Sequence, residues 1–215
     1  DTFSFTDSGV LTGTTGIAGN GGGDTIEGTA NADDFTIDAS NGGSLETGAG
    51  TTDFETVENA SGRGGDDTFT FTDSGELSGT TGVAGDGGTD TIEGSAEADT
   101  FNIDTGDSGS LTTGAGTSAF ASVENLLGQG GDDAFEFGSS GSLSGDIDGG
   151  SGKDTLDYSD ASGPLRFDLG ASTADKIGGT FTNIDAVVGT GNSGDTLVGS
   201  GNGETWTISG GDSGD

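Results

Sequence analysis

The stretch GRGGDDTFTF (residues 62–71) sets three glycines and two aspartates directly before an alternating Thr/Phe run. Related stretches recur as GQGGDDAFEF (128–137) and GGSGKDTLDY (149–158). In the run that follows, Phe69 and Phe71 alternate with Thr68 and Thr70, which puts both rings on one face of a β-strand. FSF, FTID, FNID, FEF and WTIS repeat that texture, and β-branched Thr suits the solvated face. No segment sustains a 3.6-residue period, and glycines interrupt the chain about every ten residues, so helices are not expected.

Self-comparison gives the organisation. Residues 1–66 open with DTFSFTDSGVLTGTTG and residues 67–132 with DTFTFTDSGELSGTTG; the two blocks align without a gap and about two thirds of their positions are identical. A third block opens at Asp133 with DAFEFGSSGSLSG and then diverges. Residues 195–214 follow residues 90–109 position for position, as the start of a further repeat.

Within the blocks, apolar residues follow turns at intervals of 19 to 24: Phe3, Ile26, Leu45, Phe69, Ile92, Leu111, Phe135, Leu156, Ile177 and Leu197. A second series runs in phase: Leu11, Phe35, Phe54, Leu77, Phe101, Phe120, Leu143, Phe167, Ile184 and Trp206. Short strands at such intervals, each apolar on one face, predict an all-β fold. Its form is a parallel β-solenoid of about ten coils of about 22 residues, three coils per 66-residue repeat, continuous through 1–66, 67–132 and the divergent 133–215. A β-sandwich is the rival, but its strands recur every 8–12 residues and have no reason to keep this longer ladder.

Composition narrows the function. The 215 residues carry 38 acids and 4 bases, for a formal charge of −34. Only 27% of the chain is hydrophobic and 48 residues are glycine, a composition that favours disorder unless pattern or a ligand imposes order. Such a charge excludes nucleic-acid binding by counterion release. No apolar run approaches the roughly 20 residues that span a bilayer. Without Cys there are no disulfides and no thiolate metal sites; without His, no imidazole base.

Five turns align on one aspartate: GNGGGD ending at Asp24, GRGGDD at Asp67, GDGGTD at Asp90, GQGGDD at Asp133 and GGSGKD at Asp154. A weaker SGD ends at Asp195. The turns resemble the nonapeptide G-G-x-G-x-D-x-U-x of RTX proteins, the haemolysin-type calcium-binding repeats. Gly149–Asp157 (GGSGKDTLD) matches every fixed position, and the other four keep the first and fourth glycines and the aspartate. Residues 147–199 are similar to a module of very large secreted bacterial repeat proteins. Unlike RTX rolls, the turns here are isolated rather than in unbroken tandem.

The resemblance implies a β-solenoid with bound calcium in a secreted surface or matrix protein. Calcium takes 6–8 oxygen ligands, and glycine-rich turns can aim carbonyls inward beside an aspartate. The metal candidates are Asp24, Asp66, Asp67, Asp90, Asp132, Asp133, Asp154 and Asp195, with Asp67 facing Asp90 and Asp133 facing Asp154 across neighbouring coils. The alternative is that glycine and aspartate simply make tight turns.

The expected function is therefore a structural repeat segment of a secreted or cell-surface adhesin, matrix or filament protein. Its partners would be flanking repeats or further copies stacked head to tail, with surface glycans as another possibility. An ice- or crystal-binding solenoid is the first alternative, drawn from Thr68, Thr70 and Thr72 on one face. A carbohydrate-active enzyme is the second, but no constellation of acid and base breaks the repeat, and no enzyme is expected.

Overall fold

The computed structural model describes residues 1–9, 11 and 16–200. The described residues are all β-strand, turn and loop, with no helix. In residues 1–66 the chain forms β1 (Thr2–Ser4), β2 (Ile17–Ala18), β3 (Thr25–Glu27), β4 (Asp34–Ala39), β5 (Gly42–Thr47), β6 (Gly50–Glu55) and β7 (Asn59–Ser61). Residues 67–132 form β8 (Thr68–Phe71), β9 (Val83–Ala84), β10 (Thr91–Glu93), β11 (Thr100–Thr105), β12 (Ser108–Thr112), β13 (Thr117–Ala121) and β14 (Asn125–Leu127). Beyond lie β15 (Ala134–Phe137), β16 (Ile147–Asp148), β17 (Thr155–Asp157), β18 (Arg166–Asp168), β19 (Thr173–Ala174), β20 (Phe181–Thr182), β21 (Ala186–Val188) and β22 (Thr196–Val198).

These strands build two large mixed sheets and a small one. The first has ten strands in the order β1-β3-β7-β9-β13-β12-β11-β15-β17-β21. The second has nine, β2-β6-β5-β4-β8-β10-β14-β16-β20, and β19-β18-β22 form the third. Every connection from β1 to β17 either crosses to the other large sheet or stays within a three-stranded antiparallel meander, β4–β5–β6 or β11–β12–β13. Counting each meander as one visit, a repeat makes five visits to the sheets. Five is odd, so residues 66 apart lie in opposite sheets: β1 is in the first and its equivalent β8 in the second.

Buried residues of the two large sheets join one apolar cluster. Strand alternation turns every second residue inward, which is how so little apolar content makes a continuous core. Parallel, in-register pairing then sets like on like. Phe35 stacks on Phe69 with centroids 4.7 Å apart, and Phe137 on Tyr158 at 4.4 Å. Those separations are close to the spacing between hydrogen-bonded strands, about 4.8 Å.

The structure corrects the expected spacing. Parallel partners are 23 residues apart at Phe3–Ile26 and Phe69–Ile92, 21 at Phe135–Leu156, and 34 at Phe35–Phe69 and Ile26–Ala60. The longer steps contain the meanders, so the sheets are mixed rather than purely parallel. Leu45 and Leu111 are the antiparallel partners of Phe35 and Phe101, not separate coils. Most residues of both apolar series are buried, but Leu11 and Leu197 are exposed, at 50% and 41%. Trp206 lies outside the described residues.

Candidate functional site at the glycine–aspartate turns

Each of the five turns needs unusual backbone at the same places. The second residue is left-handed, with φ of 70° at Asn20, 72° at Arg63, 68° at Asp86, 70° at Gln129 and 86° at Gly150. The fourth is a glycine at positive φ: Gly22, Gly65, Gly88, Gly131 and Gly152. This geometry reverses the chain between sheets and delivers the closing aspartate to the position immediately before the next strand. The turns also stack, through parallel bridges between Gly64 and Gly87 and between Gly130 and Ser151.

The closing aspartates point inward. Asp24, Asp67, Asp90, Asp133 and Asp154 are all buried, whereas Asp66 and Asp132 are exposed and Asp195 is half-buried. The buried carboxylates form ladders along the stacked strands. The N–H of Asp33 donates to Oδ1 of Asp67 at 2.8 Å, that of Asp67 to Oδ1 of Asp90 at 2.8 Å, and that of Asp90 to Oε2 of Glu124 at 2.7 Å. Sixty-six residues on, the N–H of Asp99 donates to Asp133, that of Asp133 to Asp154 and that of Asp154 to Asp185, at 2.8, 2.9 and 3.1 Å. In the first repeat the nitrogen of Asp1 donates to Asp24, whose N–H donates to Glu58 at 2.9 Å.

Backbone bonds run the opposite way. The N–H of Thr91 donates to the carbonyl of Asp67, and that of Thr155 to the carbonyl of Asp133, each at 2.9 Å. Neighbouring layers are thus joined reciprocally at every ladder step. The heads of the two complete ladders close on themselves: Asp33 Oδ2 accepts from the N–H of Thr29, and Asp99 Oδ2 from that of Ser95.

The sequence reading missed Asp33, Asp99, Glu58, Glu124 and Asp185. The signal was present as acids 34 residues apart, in the pairs 24/58, 33/67, 90/124 and 99/133, and as a shared Gly-x4-Asp in GTANAD (28–33) and GSAEAD (94–99). The remaining candidates take other partners. Asp66 Oδ1 accepts from the N–H of Thr89 and Asp132 Oδ1 from that of Lys153. Asp195 sits apart, accepting from the N–H groups of Leu165 and Thr190.

The electrostatics of the ladders are one-sided. Burial pushes the Asp67 and Asp133 carboxyls up to about 7; the accepted N–H opposes the rise and neighbouring carboxylates add to it. Burial likewise raises Asp90, Asp99 and Asp154. Among the described ion pairs, only the Asp1 amino group on Asp24 touches a ladder; Arg63 reaches Glu27 and Arg166 reaches Asp168, both outside the ladders. Oδ2 of Asp24, Asp67, Asp90, Asp133 and Asp154, and Oδ1 of Asp33, are buried without a hydrogen-bond donor. Among the described residues, no three acidic side chains converge where they could share a metal ion.

Comparison with known proteins finds no matching family model, no similar curated protein and no similar solved structure.

Proposed function

We propose that this chain is a structural segment: a stiff β-solenoid rod, two sheets wide, from a secreted or cell-surface bacterial adhesin, matrix or filament protein. The observation that carries this reading is the alternation of successive strands between two sheets, with parallel partners in register from layer to layer. Strand hydrogen bonds in such a rod run along its axis, and load along the axis is shared by every ladder. Ten strands at about 4.8 Å make a segment about 45 Å long.

Small-angle X-ray scattering tests the rod. Each pair of repeats contributes seven strands to each large sheet. Inserting a second copy of residues 1–132 restores the sheet alternation, because the number of added visits is even. The maximum dimension should grow by about 34 Å with the cross-section unchanged. An increase in cross-section, as in a larger globule, would rule the rod out.

A further inference from the structure

We infer that the glycine–aspartate turns staple neighbouring layers by hydrogen bonds of their own, without a bound cation. The inference concerns the turns alone and holds whether or not the assembled protein is a rod. Calcium requires 6–8 oxygens at 2.3–2.6 Å. At Asp67, Oδ1 already accepts from the N–H of Asp33 and the backbone oxygen from that of Thr91, and among the described residues no three acidic side chains converge to complete a cage around them. The remaining oxygen, Oδ2, is buried without a donor and fills the space beside Gly62 that a Cβ would take, 2.0 Å from the ideal Cβ position; one such oxygen per turn is far short of a calcium shell.

The same fit recurs at every stacked turn. The corresponding separation is 2.6 Å for Gly19 and Asp24, 2.5 Å for Gly85 and Asp90, 2.2 Å for Gly128 and Asp133, and 2.7 Å for Gly149 and Asp154. It extends to Gly28 with Asp33 and Gly94 with Asp99, at 2.6 and 2.5 Å, in turns that lack the central glycines of the calcium-binding pattern. The first glycine and the aspartate of the motif are therefore explained by each other: the glycine leaves room for the carboxylate, and the carboxylate takes the N–H of the adjacent layer. The exposed aspartates do not rebuild a cage outside, since Asp66 and Asp132 cap the N–H groups of Thr89 and Lys153. The donor set left over does not fit the ion that the resemblance implies.

The test uses the 215-residue chain in excess EDTA, in millimolar calcium, and in sodium chloride of matched ionic strength. The β circular dichroism, the melting midpoint and the exchange protection of the Asp33, Asp67, Asp99 and Asp133 amides should be the same in EDTA as in calcium. Asp67→Asn keeps the acceptor and should retain protection of the Asp33 amide. Asp67→Ala removes it and should speed exchange there at least tenfold, about what an unmade buried hydrogen bond costs. Loss of the β spectrum in EDTA, or a midpoint raised by calcium beyond the sodium control, overturns the inference. So does Asn behaving as badly as Ala at position 67. Should Asp67→Ala fail to fold, the chelation arms and Asp67→Asn still decide.

Discussion

Phe101 stacks on Phe135 with ring centroids 4.9 Å apart and planes inclined by 8°, although 34 residues separate them. The pair reproduces Phe35 and Phe69 one repeat earlier, in the opposite sheet. Both rings of the later pair are fully buried. Phe101→Ala should cost about 3–5 kcal/mol in urea denaturation. The double variant with Phe135→Ala should lose less than the sum of the singles, because each deletion already removes the shared contact. Strict additivity would mean that the stack contributes nothing beyond burial.

Glycines in the turns differ sharply in what they tolerate. Gly62→Ala would drive a methyl into the Asp67 carboxylate and break the bond to Asp33, for an expected loss of about 2–4 kcal/mol. Gly21, in the turn that ends at Asp24, has nothing within 4 Å of an added Cβ and no positive φ. Gly21→Ala should stay within about 0.5 kcal/mol of the parent. Equal melting midpoints for the two variants would show that the close fit at Gly62 is not needed.

That the chain is all-β was legible because alternation is a local signal. Thr68 to Phe71 reads as a strand on its own, and its burial alternates as the pattern requires. The turns were legible too, since the fourth position of each is a glycine at positive φ, although the left-handed second position is a non-glycine in four of the five. What local pattern could not supply was partnership. Leu45 lies nearly a coil's length from Ile26 in sequence, so its role in a hairpin with Phe35 was hidden in the regular spacing. Asn41-Gly42, which opens that hairpin with Asn41 at φ 55°, looked like another coil corner. The ladders were harder still. A carboxylate is normally assigned to solvent, and Glu58 or Glu124 looks like any surface acid until the residue 34 positions before it is brought alongside.

Acid should tighten the fold. The folded-state values of Asp67 and Asp133, about 7, lie above the ordinary 3.8, so the folded chain binds these protons more strongly than the unfolded one. That contribution to stability is complete below about pH 4 and is lost as pH rises to about 7. Across this window the unfolding constant should rise about tenfold per pH unit for each proton held. Urea midpoints at fixed high salt, where surface repulsion is screened, would record it. Asp67→Asn with Asp133→Asn should flatten the profile. The exposed pair Asp38→Asn and Asp104→Asn, which removes the same charge, should leave the slope in place. If the exposed pair flattens the profile equally, the pH dependence belongs to net charge and not to the ladders.

Gln129 offers a test of the turn backbone that leaves both core and ladder alone. Its side chain is exposed, it sits at φ 70°, and its carbonyl accepts the N–H of Ser151 from the next turn at 3.0 Å. A left-handed conformation costs an ordinary L-residue about 1–2 kcal/mol. Asparagine tolerates it better, and Asn20 fills the same place in the first turn at the same φ. Gln129→Asn should therefore raise the melting point. Gln129→Gly should change it little, because relief of strain is offset by greater freedom in the unfolded chain. A β-branched residue is the worst choice, and Gln129→Val should lower the midpoint by several degrees, at about 2–4 °C per kcal/mol for a chain of this size. The expected ranking is Asn first, then Gly and Gln together, then Val. Finding Val as stable as Gln in scanning calorimetry would show that this turn does not hold the left-handed geometry on which the stacking of Gly130 on Ser151 depends.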